Sequence, residues 1–135
     1  MTTAIDAEMT PNWSDALTRA EAYSPFLASM IRRHSALMPH LSSGDAEAAY
    51  SQALLAGNQA ETPAQALRLN RGAVALVTGI ADLAGAWDLD KVTATLSDFA
   101  DTAVEAALRT AFKERYPEEE VRGFAVIALG KHGSR

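Results

Sequence analysis

The sequence predicts a mainly α-helical chain, a bundle of four to five helices followed by the first β-strand of an α+β domain. Apolar residues recur at helical spacing through residues 14–116. N-capping residues, prolines and glycines divide this span into separate helices. The continuous apolar run Phe124–Leu129 then lies between glycines, a pattern typical of a strand that is covered on both faces.

The first two helices are predicted from the residues at their starts. Ser14 is a favoured N-cap for a short first helix. Ser24 and Pro25 open the second helix, because serine caps the first turn and proline at the first helical position loses no hydrogen bond. Pro39 and the small residues 42–44 are expected to break the chain after it.

The middle of the chain predicts a short helix and a long one. Asp45 caps the short helix, which Gly57 and the asparagine after it end. Thr62 and Pro63 repeat the cap-and-proline signal and open a long helix to about Ala84. Apolar residues on two faces predict that this helix is buried between its neighbours. One face consists of Leu67, Val74, Val77 and Ala81, and the other of Leu69, Leu76, Ile80 and Leu83.

The last helix is expected to begin at Asp88 or Asp90 and to run to about Tyr116, before an acidic linker of residues 117–120. Its inward side is predicted to contain Val92, Leu96, Phe99, Ala103, Leu108 and Phe112. Its solvent side is predicted to contain Asp98, Asp101, Glu105, Arg109 and Lys113. The following strand has no partner in this chain, so we expect its sheet to lie beyond residue 135.

Composition excludes several classes of protein. With 135 residues, 48% of them hydrophobic and 21% charged, the chain is long enough and apolar enough to bury a core. A net charge of −5 argues against nucleic-acid binding. The absence of cysteine excludes disulfides and thiolate metal sites. Without a signal peptide or an apolar stretch long enough to span a membrane, the sequence predicts a cytoplasmic protein that binds no membrane.

The turn Gly130–Ser134 is the one place where the sequence could hold a phosphate group. Glycines let backbone N–H groups approach an anion closely, and a helix following the turn would add its dipole. The turn is not a Walker A loop, because His132 stands where serine or threonine should follow Lys131. From the residues alone, a simple connector after a strand is the favoured alternative.

Other candidate groups are better explained structurally. Asp88 and Asp90 have the spacing of paired Mg²⁺-binding carboxylates, but their position before a helical run favours an N-cap. The three histidines, His34, His40 and His132, have no carboxylate at metal-ligand spacing, so we expect no metal site. Trp13 and Trp87 are expected to anchor helix packing.

Four arginines allow two interpretations. Arg32, Arg33, Arg68 and Arg71 could pair with acidic neighbours or meet a partner, but a solvated face is the favoured account.

Several short segments follow the order of motifs in a known enzyme family. These segments are Ala22–Leu27, Ala81–Gly85, Leu89–Thr93, Leu96–Asp101 and Gly123–Arg135. Together they resemble the glutamine synthetase adenylyltransferases, also called glutamate–ammonia-ligase adenylyltransferase/adenylyl-removing enzymes. The last segment resembles the family's entry to a nucleotidyltransferase domain, with departures at Leu129 and at His132, where leucine is usual.

The resemblance implies an N-terminal segment of an enzyme that moves AMP between a nucleotide and a tyrosine of glutamine synthetase. It places Lys131, Gly133 and Ser134 at the nucleotide and the catalytic Asp-x-Asp beyond Arg135. No catalytic or metal-binding residue is therefore expected within the chain, and this fragment alone should be inactive and bind no cofactor. Mg²⁺ and ATP or ADP are implied as cofactors of the full-length protein. Glutamine synthetase and a PII-type signalling protein are implied as partners.

The resulting division of the chain is a flexible start at 1–13, a helical region at 14–116, and a linker with the start of an incomplete nucleotidyltransferase domain at 117–135. One alternative from a different class stays open. The chain could be a non-enzymatic, all-helical interaction module whose terminal strand only docks it to a neighbour.

Overall fold

The computed structural model describes residues 10–130, and this part of the chain is mainly helical. It contains six α-helices and a short 3₁₀ turn at Ser35–Leu37. The helices are α1 (Trp13–Tyr23), α2 (Pro25–Arg33), α3 (Met38–Ser43), α4 (Ala46–Ala53), α5 (Pro63–Leu83) and α6 (Leu89–Arg115).

Side-chain caps start five of these helices. Each capping oxygen accepts a hydrogen bond from the backbone N–H three residues later, which satisfies one of the unpaired donors of the first turn. The caps at Ser24, Asp45, Thr62 and Asp88 confirm the sequence predictions. The prediction for α1 was wrong by two residues, because Asn12 rather than Ser14 accepts the hydrogen bond, from the N–H of Asp15.

Helix α3 was not predicted. Pro39 was interpreted as a helix breaker, but it occupies the first turn of α3, where a missing N–H costs no hydrogen bond. His40 therefore lies on a helix. Gly44 ends α3 beside the indole of Trp13, and this contact packs the start of α1 against the end of α3.

Helix α5 is the centre of the fold and packs against α1, α2, α4 and α6. Its second half is buried on both predicted faces, and Leu76, Val77 and Ile80 are fully inaccessible to solvent. Trp87 joins the same core. At the end of α5 the carbonyl of Leu83 accepts from the Arg19 guanidinium at 2.7 Å. The long central helix is therefore held by packing along its length and by a charged hydrogen bond at its C-terminus.

Five of the six residues predicted to face inward on helix α6 are buried or half-buried, and one is exposed. Thr95, Phe99 and Phe112 are its buried residues, whereas Leu96, predicted to face inward, is 42% exposed. The predicted solvent side is exposed, as expected. A helical period identifies an apolar face, but burial also requires a neighbouring element to cover it.

The predicted terminal strand is not present within residues 10–130. Phe124–Leu129 has no regular secondary structure, and its large apolar side chains, those of Phe124, Val126, Ile127 and Leu129, are 62–82% exposed. A strand needs a second strand to pair its backbone groups, and the described residues, which contain no strand, offer none.

Candidate functional site

The predicted nucleotide-binding residues Lys131, Gly133 and Ser134 lie outside the described residues. Gly130 is the last described residue, and its φ of 69° is in the left-handed region that favours glycine. The backbone therefore turns at Gly130, the first residue of the Gly130–Ser134 turn predicted from the sequence.

The segment that leads to this turn is held against the end of α6. The Lys113 ammonium group donates to the carbonyl oxygens of Pro117, at 3.2 Å, and Glu119, at 2.7 Å. The ring of Phe124 packs edge-on against Phe112, with centroids 5.8 Å apart. These contacts fix the linker relative to α6 and set the direction in which the chain continues.

An apolar groove lies between α6 and the C-terminal segment. It has a volume of about 410 Å³ and is lined by Asp101, Val104, Glu105, Leu108 and Val126–Ala128. Glu105 is already paired with Arg109 at 2.6 Å. The lining of this groove contains no serine, threonine, histidine or lysine side chain, and most of it is apolar, so the groove is suited to packing rather than to chemistry.

The structure places Asp88 and Asp90 at a helix start. The Asp88 carboxylate accepts from the backbone N–H of Lys91 at 2.8 Å. Lys91 in turn pairs with Glu47 at 3.2 Å and lies 5.0 Å from the centroid of a Trp87 ring. The first carboxylate is therefore used as a cap, as predicted, and its surroundings tie α6 to α4. Within residues 10–130, no group of three or more His, Asp or Glu side chains could hold a metal ion.

His34 is the one buried histidine of the described part of the chain. It is 8% exposed at the end of α2, and its Nε2 has no hydrogen-bond partner. Burial, and then the neighbouring Arg33 guanidinium, lower the pKa of this imidazole from its usual value. The imidazole is therefore uncharged at neutral pH, as expected for a buried ring whose Nε2 has no hydrogen-bond partner.

The Tyr50 phenol also has a pKa that departs from its usual value. Burial raises the pKa of this hydroxyl, and the Asp98 carboxylate raises it further, because both disfavour the phenolate. Tyr50 therefore stays protonated at neutral pH and is not an activated nucleophile or base.

A second groove, between α2 and α5, was not predicted. We define the α2–α5 groove by Phe26, Met30, Arg33, His34, Gln65, Arg68, Leu69, Arg71 and Gly72, which enclose about 510 Å³. Three of the four arginines singled out in the sequence thus meet at one site, while Arg32 does not line it. The two segments that contain all of its lining residues, 26–34 and 65–72, include no aspartate or glutamate, which indicates a basic surface but not its place in the fold.

No helix within residues 10–130 has the length and apolar content needed to cross a membrane.

Comparison with known proteins identifies a family. Residues 14–135 match the family model described as glutamate-ammonia ligase adenylyltransferase. The chain is 34% identical over 130 residues to a bifunctional glutamine synthetase adenylyltransferase/adenylyl-removing enzyme of Caulobacter vibrioides, over 84% of this chain and 13% of that protein. It is 35% identical to the protein of the same description in Xanthobacter autotrophicus, over 83% of the chain and 13% of that protein. The protein so described in Burkholderia mallei is 32% identical over the whole chain and 16% of its own length.

The chain thus spans roughly an eighth of the length of the Caulobacter vibrioides and Xanthobacter autotrophicus relatives. No solved structure is significantly similar to it.

Proposed function

The chain belongs to the glutamate–ammonia ligase adenylyltransferase family, and we propose that it is the helical N-terminal region of a bifunctional adenylyltransferase/adenylyl-removing enzyme. The observation that carries this proposal is a continuous family match from residue 14, in α1, to residue 135. In this role the protein regulates nitrogen assimilation by adding AMP to, or removing it from, a tyrosine of glutamine synthetase.

The proposed role divides the chain into a helical region and the start of a catalytic domain. Residues 14–116 form the helical body, which does no chemistry, and residues 117–135 lead into a nucleotidyltransferase domain. Phe124–Leu129 becomes the first strand of that domain when following sequence supplies a partner. Its exposed apolar side chains support this, since covering each of them stabilises the protein by about 1.5–3 kcal/mol.

Within this proposal Lys131, Gly133 and Ser134 contact the phosphates of ATP or ADP. Small residues leave room for backbone N–H donors, and the Lys131 ammonium adds a positive charge. A bound Mg²⁺ would supply charge neutralisation for nucleotidyl transfer. The described residues do not fit such a site, because they form no cluster of metal-binding side chains. We therefore assign the metal-binding acids to sequence outside this chain.

The proposal is tested in a chimaera in which this chain replaces the corresponding segment of the Caulobacter vibrioides relative. We expect Gly133→Val to reduce the removal of AMP strongly, because the added side chain occupies the space that the phosphates need. The melting temperature of the helical body should be nearly unchanged. Labelled AMP released from adenylylated glutamine synthetase is the readout, and the isolated chain should release none above a blank.

A matched control separates loss of the site from loss of backbone freedom. Gly85 has a φ of 73° and open space around its missing Cβ, so Gly85→Val introduces backbone strain at a glycine 48 positions before Gly133 in the sequence. This variant should lose some stability but keep its turnover. If Gly133→Val retains normal turnover and nucleotide affinity, the turn is only a connector and the assignment of these residues is wrong.

The α2–α5 groove supports a second candidate function, a helical interaction module. Glutamine synthetase and a PII-type signalling protein are the partners that the family assignment suggests, and the cytoplasm is the compartment in which we expect them to meet. A chimaera that transfers no AMP under any condition, yet still binds glutamine synthetase, would favour the module over the enzyme.

A further inference from the structure

We propose that the α2–α5 groove is a docking site for an acidic segment of a protein partner. The carboxylates of that segment would pair with Arg33, Arg68 and Arg71, while an apolar side chain would cover the floor. This inference stands on the groove itself and does not depend on the proposed enzymatic function.

The groove is formed by one stripe of side chains on each of two packed helices. On α2 the stripe contains Phe26, Met30 and Arg33, spaced four and three residues apart, and on α5 it contains Gln65, Leu69 and Gly72 at the same spacing. A Cβ atom on Gly72 would lie 2.9 Å from His34 Nε2 and 3.0 Å from the sulfur of Met30. The glycine therefore lets the two helices approach closely, and the groove runs above this contact.

The charge on the groove is positive and is not neutralised within the described chain. Arg33, Arg68 and Arg71 are exposed, and none of the ion pairs formed within residues 10–130 involves them. Residues 25–44 and 62–81 carry no acidic side chain, although the whole chain has 17 acidic and 12 basic residues. The groove is thus a positively charged patch on an acidic protein, and an anionic partner would relieve the repulsion between the guanidinium groups.

The residue types favour a protein partner over a small anion. All three cations are arginines, which bind carboxylates through two parallel hydrogen bonds. Phe26 is 54% exposed beside the apolar surface of Met30 and Leu69. Aromatic residues, methionine and arginine are the types enriched in protein interfaces, whereas lysine and acidic residues, which are depleted there, do not line the groove.

The shape of the groove favours a helix as the occupant. A partner helix with an apolar residue flanked by glutamates three and four positions away would place that residue on Phe26 and its carboxylates at the two arginine-bearing walls. A nucleic acid would also present anions, but the net charge of −5 would repel it from the rest of the protein.

The experiment uses a synthetic amphipathic peptide of about 16 residues, with leucine on one face and glutamate on the other, added to the whole 135-residue chain. Titration calorimetry measures the affinity, and amide chemical shifts of Leu69 and Gly72 locate the peptide. We expect binding that weakens strongly as salt is raised from about 50 to 300 mM. A peptide with glutamine in place of every glutamate should bind at least about tenfold more weakly.

Variants connect this binding to the groove. We expect the double variant Arg68→Gln with Arg71→Gln, and separately Phe26→Ala, to weaken the peptide at least about tenfold. Arg32→Gln removes one positive charge, half of what the double variant removes, from a residue of α2 that does not line the groove, so it should leave affinity within about twofold. Thermal melts followed by circular dichroism check that each variant remains folded.

Three results would overturn the proposal. The first is equal affinity for the glutamate and glutamine peptides, and the second is a loss in Arg32→Gln as large as in the double variant. The third is binding of inorganic phosphate or citrate that shifts the same amides and is indifferent to Phe26→Ala, because it would identify a small-anion site instead.

Discussion

Gly57 provides a sharp test of how the loop after α4 packs against α5. A Cβ at this buried position would lie 2.6 Å from the carbonyl oxygen and 2.7 Å from the Cα of Ala66, and 2.7 Å from the side-chain oxygen of Asn70. Two of these neighbours are backbone atoms of a helix, so the loop and α5 would have to separate by about 0.5–1 Å to restore ordinary contact. We expect Gly57→Ala to disrupt this packing.

The expected loss follows from two opposing effects. Overpacking of this kind destabilises by about 1–3 kcal/mol, and replacing Gly57 by alanine recovers about 0.4–1 kcal/mol by restricting the unfolded chain. The net loss should be about 1–2 kcal/mol, which for a domain of this size is a fall in Tm of about 3–8 °C. Urea unfolding followed by helical circular dichroism measures the loss.

Gly79→Ala is the matched control, because it places the same methyl group inside α5, four residues before its last residue. Its nearest neighbour is the end of the Leu27 side chain, at 3.0 Å, which can rotate away. Alanine also favours a helix over glycine by about 1 kcal/mol, so this variant should be as stable as the natural protein or slightly more stable. If Gly57→Ala unfolds at the same urea concentration as Gly79→Ala, the loop does not pack closely against α5 and the prediction is wrong.

Three further expectations can be checked with the same unfolding measurement. Asp88→Ala should lose about 0.5–2 kcal/mol because it removes a cap, while Asp90→Ala, which removes only a first-turn charge, should lose about 0.3–1 kcal/mol. Stability should fall as pH drops below about 6.5, because burial lowers the pKa of His34 in the folded state and the unfolded chain then binds more protons; His34→Gln should flatten this slope. Leu76→Ala should lose about 2–5 kcal/mol, whereas Leu89→Ala, at a position 74% exposed, should change stability by less than about 0.5 kcal/mol.

Helix starts could be predicted from the sequence where one side chain determines them. Ser24, Asp45, Thr62 and Asp88 each cap a helix by a hydrogen bond to a residue three positions later, so the information is local. The role of Pro39 was mispredicted because proline is compatible with the first turn of a helix as well as with a break, and its neighbours decide which occurs.

Burial was harder to predict than helix formation. The two apolar faces of α5 are covered because four other helices pack against it. The face of α6 that carries Leu96 has the same kind of periodicity, but neighbouring helices cover it incompletely. The strand predicted at Phe124–Leu129 is absent from the described residues for a related reason. A strand forms only when a second strand pairs with it, and the local sequence pattern does not show whether one is present.

The candidate sites also differ in whether they depend on adjacent residues or on residues that are distant in the sequence. The cap at Asp88 was predictable, because it depends on adjacent residues. The assignment of Lys131, Gly133 and Ser134 to a nucleotide rests on family resemblance and stays a prediction. The α2–α5 groove could not be located beforehand, because Arg33 and Arg68 are 35 positions apart in the sequence and only helix packing brings them together.

The two halves of α5 have different surroundings: the second half is buried in the core, and the first half lines the groove that we propose binds a partner. From Ala73 to Ala81 most side chains are buried in the core, and a change there alters the free energy of unfolding. From Gln65 to Gly72 the same helix lines the open groove with exposed arginines that pair with no carboxylate of residues 10–130. Removing one of those charges leaves the core intact and relieves repulsion, so it should cost little stability. The binding of an acidic segment that we propose would account for these arginines, and it would also account for the absence of acidic residues from the lining of the groove.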